Sequence, residues 1–133
     1  MRAFLLGAYL SEIGGELMTQ AILAMAIALV AVALLAAMSL RANRRFQMEP
    51  RLPMQWWLDG SVTWTAPRRV ALAFTPVLAA ICLAAVVALA IFVKPRAGQE
   101  HLVTPAILAV ALVCLCVHAV HLWMMRRTVQ RKA

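Results

Sequence analysis

The chain has 133 residues, of which 65% are hydrophobic and 14% charged, and it carries a formal net charge of +8. One domain is the expectation for that length, and a water-soluble domain so small leaves too much surface in solvent to hide this much apolar side chain. The composition therefore excludes an ordinary soluble fold. The basic excess reads as membrane topology and attraction to lipid headgroups, because no nucleic-acid motif stands beside it.

In residues 1–16, Arg2, Glu12 and Glu16 surround an apolar stretch from Ala3 to Leu10. The pair Gly14-Gly15 follows, so a short interfacial helix with a glycine hinge is expected before the first span. A signal peptide is the alternative, weakened by the break at Ser11-Glu12. Met18 is a second candidate start.

Three long stretches then lack any formal charge: 24 residues between Glu16 and Arg41, 24 between Arg69 and Lys94, and 25 between Glu100 and Arg126. A spanning helix needs about 20 apolar residues. The expected fold is all-α, an integral membrane protein whose domain 17–125 crosses the bilayer at about 17–40, 70–93 and 102–125. The first span carries alanines at 24, 28, 33 and 37 and ends at Arg41, Arg44 and Arg45.

Residues 41–69 form the one substantial polar segment. It holds Pro50, Pro53, Pro67, the turn signal Asp59-Gly60, and three of the four tryptophans, Trp56, Trp57 and Trp64. An irregular loop at headgroup depth is expected, where amphipathic rings prefer to lie. The second span has Pro76 early, where a missing amide is tolerated. Ala80, Ala84 and Ala88 make a small-residue ridge suited to close helix packing, although alanine abundance alone produces such spacings. A turn over 94–101 leads to the third span, with Pro105 early and Trp123 near its end. The tail 126–133 is basic.

Orientation follows from counting. The 41–69 loop and the tail share a side and hold ten basic residues against three elsewhere. The positive-inside rule then places the loop and C-terminus in the cytoplasm and the N-terminus outside. Arg41, Arg44, Arg45, Arg68, Arg69, Arg126 and Arg127 are the expected headgroup contacts.

Candidate chemistry is sparse. An ionisable residue inside a span is the usual pointer to transport, and no Asp, Glu, Lys or Arg lies within one. His118 and His121 are three apart on one helix face, with Cys114 four before His118. The first two spans supply no further histidine, so capping of carbonyls or contact with headgroups is preferred to metal or haem ligation. Cys82, Cys114 and Cys116 lie within spans and read as small apolar residues. No cofactor, metal site or catalytic residue is expected.

The run Leu52-Pro53-Met54-Gln55-Trp56-Trp57-Leu58-Asp59-Gly60-Ser61-Val62-Thr63-Trp64, with the helix after it, resembles the signature of an SdpI-associated bacterial membrane domain of unknown function. The likeness is carried by Pro53, Trp56, Gly60, Arg68 and Pro76 over residues 50–78. It departs at Gln55, where histidine is usual, and at Trp57, where asparagine is usual. The resemblance implies a helical membrane protein without known enzymatic activity, from a family whose best-known members act in immunity to a secreted toxin and in signalling through a partner repressor. The expected function is thus a non-catalytic small membrane protein that binds a partner or membrane-active peptide through Pro53, Trp56, Trp57, Asp59, Gly60 and Trp64. The alternative is an accessory subunit of a larger respiratory or photosynthetic complex, packed through its alanine faces. Self-association or further membrane subunits are expected partners, because three thin helices bury little of one another.

Overall fold

The computed structural model describes residues 2–131, and side chains over 14–131. The elements in chain order are α1 (Arg2–Arg45), β1 (Arg51–Trp56), β2 (Val62–Pro67), α2 (Arg68–Phe92) and α3 (Val103–Gln130), with a 3-10 turn, Glu100–Leu102, before α3. Three helices are long and apolar enough to cross a membrane, over Gly14–Arg45, Arg68–Phe92 and Glu100–Gln130. The chain is an all-α, three-span integral membrane protein with a small β-hairpin at one end of the bundle.

Each helix buries one stripe. On α1 it is Ala24, Ala28, Ala31, Leu35 and Ala42, continued by Phe46 just beyond. On α3 it is Ile107, Ala111, His118 and Met125. Steps of three, four and seven keep such residues on one face of a 3.6-residue helix. Halfway along, Leu83 of α2 fits among Ala28, Ala31 and Ala111. The small side chains let backbones approach closely, which matters where lipid tails are as apolar as the helix surface and dispersion has to hold the contact. α2 runs antiparallel to α1 and α3, so the ends of α1 and α3 meet the hairpin together.

Four sequence expectations are corrected. The ridge Ala80–Ala84–Ala88 does not carry the intramolecular contact. Ala84 is exposed and the other two are half-buried, whereas Leu72, Ala79 and Leu83 are buried. The true edge lies one residue away, about 100° around the helix. Alanine occurs in both registers, so composition could not choose between them. Second, α1 passes through Gly14-Gly15 as uninterrupted helix, without a hinge. A Cβ at either glycine would meet nothing within 4 Å, so no neighbour imposes a bend there. Third, Pro76 is not in the opening turns. α2 starts at Arg68, which puts Pro76 in the helix interior. Pro105, third residue of α3, does lie early.

Fourth, the 41–69 segment is ordered. β1 and β2 pair antiparallel with Arg51 opposite Pro67, Leu52 opposite Ala66 and Trp56 opposite Val62. The register shifts around Gln55, next to Pro53. Prolines are admitted because each strand of a two-stranded sheet has a free edge. A lone hairpin is marginal in water, and this one is stabilised by docking: Leu52 and Ala66 are buried with Ala42, Phe46, Ala71, Leu72 and Met125.

Candidate functional site

The hairpin end gathers nearly every polar contact between elements, and its construction starts at the turn. The Gly60 amide donates to the Trp57 carbonyl at 2.9 Å, and the Trp57 amide donates to the Ser61 carbonyl at 2.9 Å. Gly60 has φ +85. This is a three-residue loop closed by a left-handed residue, the conformation that glycine reaches without a Cβ clash. Asp59 Oδ1 accepts from the Ser61 amide at 2.9 Å and from the Ser61 hydroxyl at 2.7 Å. Those two bonds favour the ionised carboxyl and hold Asp59 below the ordinary carboxylate value. Their contribution to the turn is complete above that value and fades as pH falls through the lowered one. Gly60→Ala is expected to destabilise the hairpin by about 1 kcal/mol. Faster tryptic cleavage after Arg51 would report the loss; an unchanged cleavage rate would contradict the turn assignment.

The three loop tryptophans do different things. Trp56 is half-buried, its indole N–H donating to the Thr128 hydroxyl of α3 at 2.9 Å. The same hydroxyl donates to the Met124 carbonyl at 2.9 Å. The Trp56 ring meets His121 edge-on, with centroids 5.7 Å apart. Trp56 therefore pins β1 to α3. Trp57 and Trp64 are 67% and 52% exposed, and Leu58 at the turn is fully exposed. Pro53 is buried, and Asp59 and Gly60 shape the turn. Of the six residues expected to bind a partner, only Trp57 and Trp64 thus present a large apolar surface outward. Leu58 joins them. Its place as first residue of the loop was the available signal, but the tryptophans on either side drew the sequence reading.

Arg68 also has a structural task. Its guanidinium donates to the carbonyls of Phe46, at 3.1 Å, and Gln47. Cation and donors together satisfy the chain end where α1 stops, favourable for a helix C-terminus. Arg68 thus caps the end of α1. Arg51 bridges the strands through Thr65, with bonds of 3.1 Å to the hydroxyl and 2.7 Å to the carbonyl. Arg44 and Arg69 are exposed. Arg127 lies over the Trp123 ring, 4.7 Å from its centroid. Arg41, Arg45 and Arg126 line a groove between α1 and α3.

One turn deeper, three helices meet through a chain of hydrogen bonds. Pro76 has no amide to offer the carbonyl four residues before it, that of Leu72. That oxygen instead accepts from the Ser39 hydroxyl of α1 at 2.8 Å. Ser39 Oγ lies 3.1 Å from His118 Nε2. A hydroxyl has one proton, and here it goes to Leu72, so Nε2–H of His118 donates to Ser39. His118 is 1% exposed, which corrects the expectation that it caps carbonyls or meets headgroups. His121 packs on Trp56 instead of facing lipid. His118 Nδ1 and His121 Nε2 are buried and find no hydrogen-bond partner among the described residues. Among the described residues, no group of three His, Cys, Asp or Glu comes together as a metal-binding set. Sequence reasoning passed over Ser39 and Thr128, because a lone hydroxyl in a long helix has no signature until its partner across the bundle is known.

This architecture defines a class, a three-helix membrane bundle capped at one end by a docked, tryptophan-bearing hairpin. Comparison with protein-family models, with curated proteins and with solved structures returns no match.

Proposed function

We propose that this is a non-catalytic membrane protein of SdpI-like type that binds a partner or membrane-active peptide through its hairpin. The observation carrying this reading is the division among the tryptophans: Trp56 anchors a hairpin that leaves Trp57 and Leu58 exposed at its tip and Trp64 exposed on β2. Exposed aromatic residues on a fixed support suit recognition, since little side-chain entropy remains to be lost on binding. The five positions of the resemblance all have architectural roles here. Pro53 is buried in β1, Trp56 pins the hairpin, Gly60 closes the turn, Arg68 caps α1, and Pro76 frees a carbonyl. The likeness therefore speaks for a shared scaffold, while the recognition surface is this chain's own.

The reading is tested by gentle extraction of tagged protein, wild type against Trp57→Ala/Trp64→Ala, with mass spectrometry of what accompanies each. The expected result is a stoichiometric companion that the variant loses while its helical content is unchanged. The same companions on both proteins would refute the hairpin as binding surface. A large complex kept by the variant would favour the accessory-subunit reading. That second reading has its own support, because only 17% of each span's most apolar window is buried within the chain. The remaining faces are free for lipid or other helices.

The orientation belongs to the same proposal. Ten of the 13 basic residues belong to the 41–69 segment and the C-terminal tail, and by the positive-inside rule this excess supports a cytoplasmic hairpin end. A tag at Ala133 is expected to resist external protease in intact cells; cleavage would invert the topology.

A further inference from the structure

We infer that the seam between α1 and α3 is a binding site for one anionic diacylphospholipid, its phosphate held by Arg41, Arg45 and Arg126. The upper part of the seam is a groove of about 440 Å³ in which these three arginines stand over Ala42 and Phe46, with Met38, Leu122 and Trp123 also in the wall. Among the described residues, no carboxylate lines it. Arg41 and Arg45, four apart, share one face of α1, and Arg126 faces them from α3. Arg127 is held over Trp123, which fixes an indole at the level where such rings meet headgroups.

The charge balance favours an anion. The parallel C-termini of α1 and α3 contribute roughly −0.5 each by their dipoles. Against three guanidiniums this leaves about +2, matched to one or two phosphates. Guanidinium forks suit phosphate oxygens in geometry as well as charge.

The lower part of the same seam supplies the second half of a lipid's chemistry. Among the described residues, a groove of about 360 Å³ is lined by apolar side chains alone, including Ala26, Ile27, Val30 and Leu34 of α1 facing Leu108 and Leu112 of α3. Residues 27, 31, 34, 38, 41 and 45 follow steps of four and three, so they form one continuous stripe of α1. The 14 helical steps from Ala31 to Arg45 rise about 21 Å at 1.5 Å each. Half a bilayer, headgroups included, is about 20–22 Å. Acyl chains in the apolar groove thus bring a phosphate to the arginines. A soluble phosphate would use only the upper groove, and a second copy of the chain would bring its own basic end against this one.

Native mass spectrometry after reconstitution in vesicles of equal phosphatidylcholine and phosphatidylglycerol tests the site. Wild type is expected to retain one phosphatidylglycerol with at least tenfold preference over phosphatidylcholine. Arg41→Gln/Arg45→Gln/Arg126→Gln is expected to lose that preference, while Arg44→Gln/Arg69→Gln/Arg131→Gln, with equal charge removed outside the groove, keeps it. Ala26→Trp fills the apolar groove, leaves every arginine in place, and is expected to lose the lipid too. Equal loss from both triple variants would reduce the effect to general surface charge and overturn the site. So would equal retention of the two lipids, retention by Ala26→Trp, displacement by glycerol phosphate without acyl chains, or a dimer in place of the lipid adduct. If the groove triple variant fails to fold, the Ala26→Trp result decides.

Discussion

Trp56→Ala is expected to destabilise the protein by about 2–3 kcal/mol and to detach the hairpin from the bundle. Removing a large ring from a packed site is worth about 3–5 kcal/mol when burial is complete, and Trp56 is half-buried. The lost bond to Thr128 adds about 1 kcal/mol. Trp56→Phe keeps an aromatic ring against His121 but loses the N–H and part of the indole, so its loss should be smaller than that of Trp56→Ala yet exceed the hydrogen bond alone. Trp57→Ala and Trp64→Ala, at exposed positions, should stay within about 0.5 kcal/mol of wild type. Reversible unfolding in mixed micelles, combined with tryptic cleavage after Arg51 and Arg69, measures both. Equal destabilisation by all three alanine variants would remove the distinction between anchor and recognition residues on which the proposed function rests.

His118→Ala should be comparably damaging, by about 2–3 kcal/mol, since it empties a site that is 1% exposed and removes the donor to Ser39. His118→Leu fills most of the space and isolates the polar part. Interhelical hydrogen bonds in membranes average about 0.6 kcal/mol, with a maximum near 1.7, and His118→Leu should fall in that range. The cause of the polar chain is testable through Pro76. In Pro76→Ala the new amide can donate to the Leu72 carbonyl, which then no longer needs Ser39. Ser39→Ala should accordingly be more damaging with Pro76 present than with Ala at 76. Equal effects in both backgrounds would mean that the Ser39 bond to Leu72 is incidental. The wider principle is that lipid offers no water to satisfy a freed carbonyl, so a proline in a spanning helix calls for a hydroxyl from a neighbour.

Much of this protein is written in its composition along the chain. Three charge-free runs determined three spans, because hydrocarbon excludes charge regardless of what the helices touch. Basic residues gathered at one end because two of the four connecting or terminal segments carry most of them, and Asp59-Gly60 marked the turn through its own backbone chemistry. These are local properties. What tertiary structure alone decided is which face and which partner. The choice of Ala79 and Leu83 over Ala80 and Ala84 turned on a rotation of one residue that alanine-rich sequence leaves open. The strands over Arg51–Trp56 and Val62–Pro67 escaped the sequence reading because prolines and tryptophans argued for an irregular segment, and only docking of Leu52 and Ala66 on the bundle stabilises so small a sheet. Trp56 separated from Trp57 and Trp64 when one indole found Thr128, 72 residues away. Ser39, Leu72 and His118 became a unit only when three helices brought them together, because hydrogen bonds between spans depend on distances that no stretch of sequence contains.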